Sequence, residues 1–336
     1  MKKYNVAVVG ALGAVGQEMI KTLEQRNFPV HRLKPLDIAS NKGKEVFFNG
    51  EKVYVETAEK GAFEDVDIAL FSAGGDASTL LAPIAVEENT IVIDNSSAWR
   101  MDPTVPLVVP EVNPEDLDSH KGLISNPNCS TIQMMVALKP IHDAYTIKRI
   151  VVSTYQAVSG SGQKAINELN QQAKDYASAK KMVHTVYPYQ IAFNALPHID
   201  IFMDNGYTKE EMKMVNETKK ILCEDIKISA TTVRVPVFRC HSESINIEVE
   251  KKIDIDNVIK LLTSAAGITV QDCPKTNTYP LAIDVAGKDD VFIGRIRKDF
   301  SIENGLNMWV VSDNLRKGAA LNAVQIAETL VQRNLL

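Results

Sequence analysis

The chain has 336 residues, of which 45% are hydrophobic, 24% charged and 6% aromatic, a balance that excludes disordered and fibrous classes. Its 37 Lys and Arg against 42 Asp and Glu leave a net charge of −5, so no basic field recruits nucleic acid or an anionic membrane. No stretch approaches the roughly 18 apolar residues of a membrane span, the run Val6–Val9 is too short for a secretory signal, and the cysteines Cys129, Cys223, Cys240 and Cys273 form no C-x-x-C pair of a zinc site or disulfide framework. The expectation is a soluble, cytoplasmic chain of two domains, with no metal, nucleic acid or membrane as partner.

In the first part of the chain, short apolar segments alternate with helical periodicity. Tyr4–Val9, Asp67–Phe71, Thr90–Ile93 and Leu107–Val109 read as buried strands, and Gly13–Gln25 and Ala77–Glu88 as helices. This alternation predicts an α/β fold with a Rossmann-type, doubly wound parallel sheet. From about Lys148 the pattern changes. Arg149–Tyr155, Thr231–Val237, Ile245–Glu250 and Ala282–Val285 are strand-like, Ser161–Ala179 is a long polar helix, and Phe292–Lys298 and Leu306–Val311 flank the turn Glu303-Asn304-Gly305. An α+β domain follows, its mixed or antiparallel sheet covered by helices on one face and open on the other. Arg316–Gln332 is an amphipathic helix. The expected division is 1–128 and 129–313, with 314–336 packing back on the first domain.

Between the first strand and first helix stands Gly10-Ala11-Leu12-Gly13-Ala14-Val15-Gly16. Glycines there let the backbone turn tightly and approach a pyrophosphate, to which the helix N-terminus presents unpaired N–H groups. The G-x-x-G-x-x-G spacing departs from the commoner G-x-G-x-x-G, and glycines between strand and helix also serve packing, but the position opening a βαβ unit favours a dinucleotide. After the second strand, Leu36-Asp37-Ile38-Ala39 leads into Ser40-Asn41-Lys42-Gly43-Lys44. Hydroxyl, amide and lysines there suit a 2′-phosphate, which points to NADP, with Asp37 taken to lie within the apolar run.

The stretch Asn126-Pro127-Asn128-Cys129-Ser130-Thr131 precedes a helical run, Thr131–Leu138, and so puts Cys129 at a helix N-terminus. The helix dipole and free N–H groups there stabilise a thiolate and an oxyanion on a carbonyl it attacks. The other three cysteines read as small hydrophobes. A thiolate needs a proton-transfer partner, and His241 stands out in Arg234-Val235-Pro236-Val237-Phe238-Arg239-Cys240-His241-Ser242-Glu243. Strand alternation puts Arg239, His241 and Glu243 on one face and Cys240 on the other. Arg234 joins that face only if Pro236 breaks the strand. Gln156 ends a strand ahead of a second glycine turn, Ser159-Gly160-Ser161-Gly162, which serves either as a helix cap through Ser159 or Ser161 or as an anion- or nicotinamide-facing loop.

Taken together, Gly10–Gly16, Asp94–Arg100, Pro110–Asn113, Asn126–Thr131, Gln156–Gly162, Arg234–Glu243 and Asp313–Ala320 resemble the aspartate-β-semialdehyde dehydrogenases, in the family's order and over nearly the whole chain. The resemblance implies a second domain like the catalytic and dimerisation domain of glyceraldehyde-phosphate dehydrogenases. It also implies NADPH-dependent conversion of L-aspartyl-4-phosphate to L-aspartate 4-semialdehyde and phosphate, in biosynthesis of lysine, threonine, methionine and isoleucine. Cys129 is then the nucleophile that forms a thioacyl intermediate, His241 the acid/base and Gln156 the group orienting the acyl carbon. Arg234 pairs with the substrate α-carboxylate, Glu210 is a substrate-side carboxylate, and Arg100, Lys213 and Asn128 belong to the substrate and phosphate site. The cofactor falls to Gly10, Leu12, Gly13, Ala14, Val15, Ser40, Lys42, Ser159, Gly160 and Asn314. A homodimer or a dimer of dimers is implied. Many members carry Ser-x-Arg-Ser-x-Gly after the second strand, where this chain has Ser40-Asn41-Lys42-Gly43. N-acetyl-γ-glutamyl-phosphate reductase shares the fold logic and the cysteine–histidine chemistry and is the rival reading. Glyceraldehyde-phosphate dehydrogenases differ in their Ser-Cys-Thr-Thr-Asn cysteine motif. A paralogue that binds NADP without catalysis is disfavoured by the presence of Cys129, Gln156, Arg234 and His241.

Overall fold

Apolar runs that bury both faces assemble the first sheet. The computed structural model describes residues 2–336. In chain order come β1 (Tyr4–Val9), α1 (Ala14–Gln25), β2 (Val30–Asp37), the hairpin β3 (Glu45–Phe48) and β4 (Glu51–Tyr54), β5 (Glu56–Thr57), β6 (Ile68–Phe71), α2 (Gly75–Glu87), β7 (Ile91–Asp94) and β8 (Leu123–Ser125). The six-stranded sheet has the order β5-β2-β1-β6-β7-β8, every pair parallel. One face of β1 (Tyr4, Val6, Val8) packs with Met19 and Leu23 of α1 and with Val324, Ala327 and Leu330 of the C-terminal helix. The other face (Ala7, Val9) packs with Phe63, Phe71 and the α2 residues Leu81 and Ala85. Helices on both faces are what a parallel sheet requires, and they explain why these strands read as unbroken apolar runs. Leu107–Val109 is buried but makes only an isolated bridge from Leu107 to Ser125, so the strand expected there is corrected to an apolar loop.

The second unit runs from Cys129 to Gly318. It comprises α3 (Cys129–Tyr145), β9 (Ile147–Gln156), α4 (Gln163–Ala177), α5 (Lys209–Leu222), β10 (Lys227–Arg234), β11 (His241–Val249), α6 (Ile255–Ser264), β12 (Ile268–Val270), α7 (Ala282–Val285), β13 (Val291–Asp299) and β14 (Gly305–Ser312). The sheet order is β10-β9-β11-β14-β13-β12, with β10–β9 and β12–β13 parallel and the remaining pairs antiparallel. Helices α3, α5 and α6 pack on one face, while Tyr155, Trp309, Ser244, Arg295 and Arg297 occupy the other. Ala282–Val285, expected as a strand, is one turn of helix that buries Val285, because four residues are too few to show a period. Expected strand Thr231–Val237 is displaced: β10 stops at Arg234, two residues before Pro236, which cannot donate to a ladder.

The compact unit formed by residues up to Asn128 is completed by Ala319–Leu336, a return that begins at Ala319 and not at 314. Asp313 holds the intervening residues to the second unit by accepting from the Arg239 guanidinium and the N–H groups of Leu315 and Gly287. The expected helix Arg316–Gln332 is two pieces, a π turn at Arg316–Ala320 followed by α8 (Leu321–Gln332).

Candidate active site and dinucleotide cleft

At the C-terminal ends of β1 and β2, a cleft of about 390 Å³ is lined by Gly10, Leu12, Gly13, Asp37, Ile38, Asn41, Ser72 and Ala73 among others. Gly10 has φ +79°, and a Cβ there would stand 2.6 Å from the Ser72 carbonyl oxygen. A Cβ on Gly16 would collide with the Gly10 carbonyl, so two glycines of the loop are required by backbone packing. The crevice lies outside the strand ends where the strand order reverses between β1 and β6, the position at which open α/β sheets bind ligands. Bare glycine backbone at the start of α1 fits a dinucleotide pyrophosphate. Asp37 is the last residue of β2, and its carboxylate accepts from the Leu12 N–H (3.2 Å), the Ile38 N–H (2.8 Å) and the Asn41 side-chain amide (2.8 Å). Ser40 and Lys42 are exposed on the turn beyond it and do not line the cleft.

Cys129 is the first residue of α3. Gly318 stands behind it: a Cβ at that position would lie 2.8 Å from Cys129 Cβ. The chain returns at Gly318 to wall in the cysteine, a contact that spacing along the sequence could not signal. Gln156, Arg234 and His241 come together because β10 runs parallel and β11 antiparallel to β9. Arg234 pairs in register with Gln156, and Ser242 with Tyr155. Two strand ends and one strand beginning therefore present these side chains at one edge of the sheet. Gln156 donates to Ser130 Oγ at 3.0 Å, one residue along α3 from Cys129, and to Glu210 Oε1 at 3.3 Å.

His241 is fully buried, and its Nδ1 accepts the Ala157 N–H at 3.0 Å. A backbone N–H can only donate, so the neutral ring carries its proton on Nε2, which has no partner. Burial first, and the Arg234 guanidinium second, hold the imidazole well below the usual histidine range. Arg234 is 5% exposed; Nη1 donates to the Ala157 carbonyl at 2.7 Å, the guanidinium lies 5.9 Å from the Tyr187 ring centroid, and Nε has no partner. Among the described residues no carboxylate pairs with it. Gly160 lies against both cationic and imidazole groups, since a Cβ there would be 2.9 Å from Arg234 Nη1 and 3.2 Å from His241 Cε1.

Arg239, expected on the face of His241 and Glu243, is not there. Cys240 takes φ +77°, which interrupts the alternation before β11 begins, and Arg239 binds Asp313 at 2.5 Å. The cap expected of Ser159 or Ser161 is also absent. α4 is preceded by Gly162 at φ +83°, Ser159 donates to Asn314 Oδ1 at 3.0 Å, and Ser161 accepts from the Tyr187 hydroxyl. Asn314 Oδ1 also accepts the Cys240 N–H at 3.0 Å. Lys213 donates to Asp200 (2.8 Å) and Glu210 (3.1 Å). Burial opposes its charge, but Glu210 and Asp200 outweigh that and raise the ammonium above the usual lysine range. Arg100, in the first unit, donates from Nε to the Asn126 carbonyl and from Nη2 to the Asn95 carbonyl, both at 2.9 Å.

Glu243, two residues along β11 from His241, is fully buried, and neither oxygen makes a hydrogen bond of ordinary geometry. Burial drives its carboxyl well above the usual range, opposed only weakly by the nearby Gln133 amide. Gln133, one helical turn beyond Cys129, has an unpartnered Oε1 that a protonated Glu243 can supply with a donor. With the folded value raised, the stability tied to this group is fully present below the usual carboxylate range and is lost as pH rises toward the folded value. Glu243→Gln is therefore expected to leave the melting temperature unchanged within the usual carboxylate range and to raise it as pH climbs above that range, the stability gain growing by at most about 1.4 kcal/mol per pH unit. Parallel melting curves at every pH would refute the protonated state.

The description "Semialdehyde dehydrogenase, NAD binding domain" matches residues 5–120, and "Semialdehyde dehydrogenase, dimerisation domain" matches residues 138–317. These matches, with the doubly wound sheet, define a nicotinamide-dependent dehydrogenase of the aldehyde-oxidising class. The chain is 56% identical over 338 residues to aspartate-semialdehyde dehydrogenase of Aquifex aeolicus, covering 99% of each. Aspartate semialdehyde dehydrogenase II of Vibrio cholerae, solved as a complex with ASA, superposes with a TM-score of 0.96 at 49% identity, covering 99% of each chain. The enzyme of Candida albicans, solved with NADP, superposes with a TM-score of 0.79 at 25% identity and full coverage of both chains. The chain belongs to the aspartate-semialdehyde dehydrogenase family.

Proposed function

We propose that the chain reduces L-aspartyl-4-phosphate to L-aspartate 4-semialdehyde with release of phosphate, and runs the reverse reaction, within amino-acid biosynthesis. The observation that carries the reading is Arg234: a buried guanidinium with no carboxylate partner, beside a neutral imidazole, at the sheet edge that also carries Gln156. A buried cation left uncompensated is costly unless a ligand anion completes it, and arginine's fork suits a substrate α-carboxylate. Glu210, bonded to Gln156, is the carboxylate offered to a free α-ammonium. That favours the aspartate substrate over an N-acetylated one.

Cys129 Sγ attacks the C4 carbonyl of the acyl phosphate, and phosphate leaves with the electron pair of the broken C–O bond. The thioester formed is reactive toward both hydride and phosphate. Hydride for that thioester would come from a nicotinamide held in the cleft, which would take it back in the reverse direction. The tetrahedral alkoxide then expels the thiolate and yields the aldehyde. His241, protonated on Nε2, donates to that alkoxide, a role narrower than acid/base exchange and open to a neutral ring. Arg100 and Asn128 are proposed for the departing phosphate, with Lys213 acting chiefly to hold Glu210. Ser159, Gly160, Asn314 and the glycine loop Gly10–Val15 are proposed for the cofactor. The second unit's open sheet face supports a homodimer. No helix among the described residues is long and apolar enough to cross a membrane, and the four free cysteines favour the cytoplasm.

The test follows reduced nicotinamide by absorbance with L-aspartate 4-semialdehyde and phosphate, each of NAD and NADP being supplied separately. Phosphate-dependent turnover is expected, with N-acetylglutamate semialdehyde at least ~100-fold poorer in kcat/KM, because its acylated nitrogen carries no charge to offer the Glu210 carboxylate. Turnover on the acetylated compound alone would hand the assignment to the rival reductase.

A further inference from the structure

The ribose end of the dinucleotide cleft carries the strongest departure from the sequence expectation. Among the residues lining that cleft, Asp37 is the only ionisable one, so the pocket's own charge is negative. A carboxylate has about four acceptor positions, two on each oxygen. Oδ1 uses both, on Ile38 N–H and the Asn41 amide, whereas Oδ2 uses one, on Leu12 N–H. The remaining acceptor therefore belongs to the oxygen that faces the glycine loop. Ile38 beside it is 66% exposed while lining the cleft, an apolar surface for a purine ring.

The cations expected to hold a 2′-phosphate are placed otherwise. Lys44 does not line the cleft; it donates to Asn41 Oδ1 at 2.6 Å, and that asparagine in turn donates to Asp37. Lys42 stands on the exposed turn outside the lining. An acidic residue at the end of the second strand, within hydrogen-bond reach of the glycine loop, is the arrangement that accepts a ribose 2′-OH and repels a 2′-phosphate.

We infer that Asp37 selects the cofactor's adenosine ribose, and that this chain binds NAD(H) in preference to NADP(H) through a 2′-OH-to-carboxylate hydrogen bond. The inference rests on the reading of this cleft as the dinucleotide site. Its test is equilibrium binding to the full chain, read by enhancement of reduced-nicotinamide fluorescence, with no substrate present. NADH is expected to bind at least ~10-fold more tightly than NADPH, since a single lost charge-assisted hydrogen bond is worth about a factor of ten. Asp37→Asn is expected to bring the two dissociation constants within about threefold of each other, because the neutral amide no longer repels the phosphate. On the unmodified chain, 5′-AMP is expected to displace NADH at lower concentration than adenosine 2′,5′-bisphosphate, a comparison that does not depend on the variant folding. NADPH as the tighter ligand, or a preference unmoved by Asp37→Asn, overturns the inference and leaves the cleft reading standing. Binding of neither dinucleotide overturns the cleft reading and the inference with it.

Discussion

Cys129→Ala is expected to lower kcat by at least ~10⁴-fold while leaving dinucleotide affinity and melting temperature at their original values. Loss of a covalent nucleophile removes the whole two-step path, so losses of this order or greater follow. The alanine keeps the Cβ against which Gly318 packs, so the local backbone is not disturbed. Rapid mixing of the unmodified enzyme with aldehyde and oxidised nicotinamide, phosphate omitted, adds a second readout. Hydride transfer then proceeds once and halts at the thioacyl enzyme, giving a burst of at most one reduced nicotinamide per site. The variant should give none. A full burst from Cys129→Ala would move the nucleophile elsewhere. The buried Cys240 is then no ready substitute, since its thiol is pushed far up by burial and by Asp313.

His241→Ala should cost about 10²–10⁴-fold in kcat with a small change in KM, the range for one positioned proton donor acting on the transition state. Because Nδ1 is held by the Ala157 N–H, the ring is a donor through Nε2 and stays neutral across the working range. His241→Gln, whose terminal amide also offers an N–H, is expected to recover part of the loss. The pH profile separates this role from general-base catalysis. With the folded value depressed, the stability tied to the neutral ring is present above pH 6.5 and is lost as pH falls through the folded value. The profile of kcat/KM should accordingly show no histidine limb near pH 6.5. An ionisation there that vanishes in His241→Ala would instead make the ring a base and break the assigned tautomer.

Much of the first unit was legible because parallel strands buried on both faces read as plain apolar runs, as β1, β6 and β7 do. The same rule over-reached at Leu107–Val109, where the buried segment meets β8 only at its last residue, Ser125, and makes one bridge. Ala282–Val285 failed for want of length, four residues being too few to separate strand from helix. Arg239 was misplaced because alternation was extended backward through Cys240, whose positive φ ends the extended conformation.

The sequence by itself determined the chemistry on offer: a cysteine opening a helix, a glycine loop opening a βαβ unit, and the arginine, histidine and glutamine beside their turns. These are local features, set by helix capping geometry and by which residues tolerate a tight turn. Only the tertiary structure decided which of them meet and in what state. Arg234 and His241 approach Gln156 because one flanking strand runs parallel to β9 and the other antiparallel. The tautomer of His241 depends on a backbone N–H that lies 84 residues away in sequence. Likewise the role of Asp37 depends on the Leu12 N–H, 25 residues earlier. Long-range pairing sets burial and partners, and burial and partners set which atoms hold protons and which can still accept one.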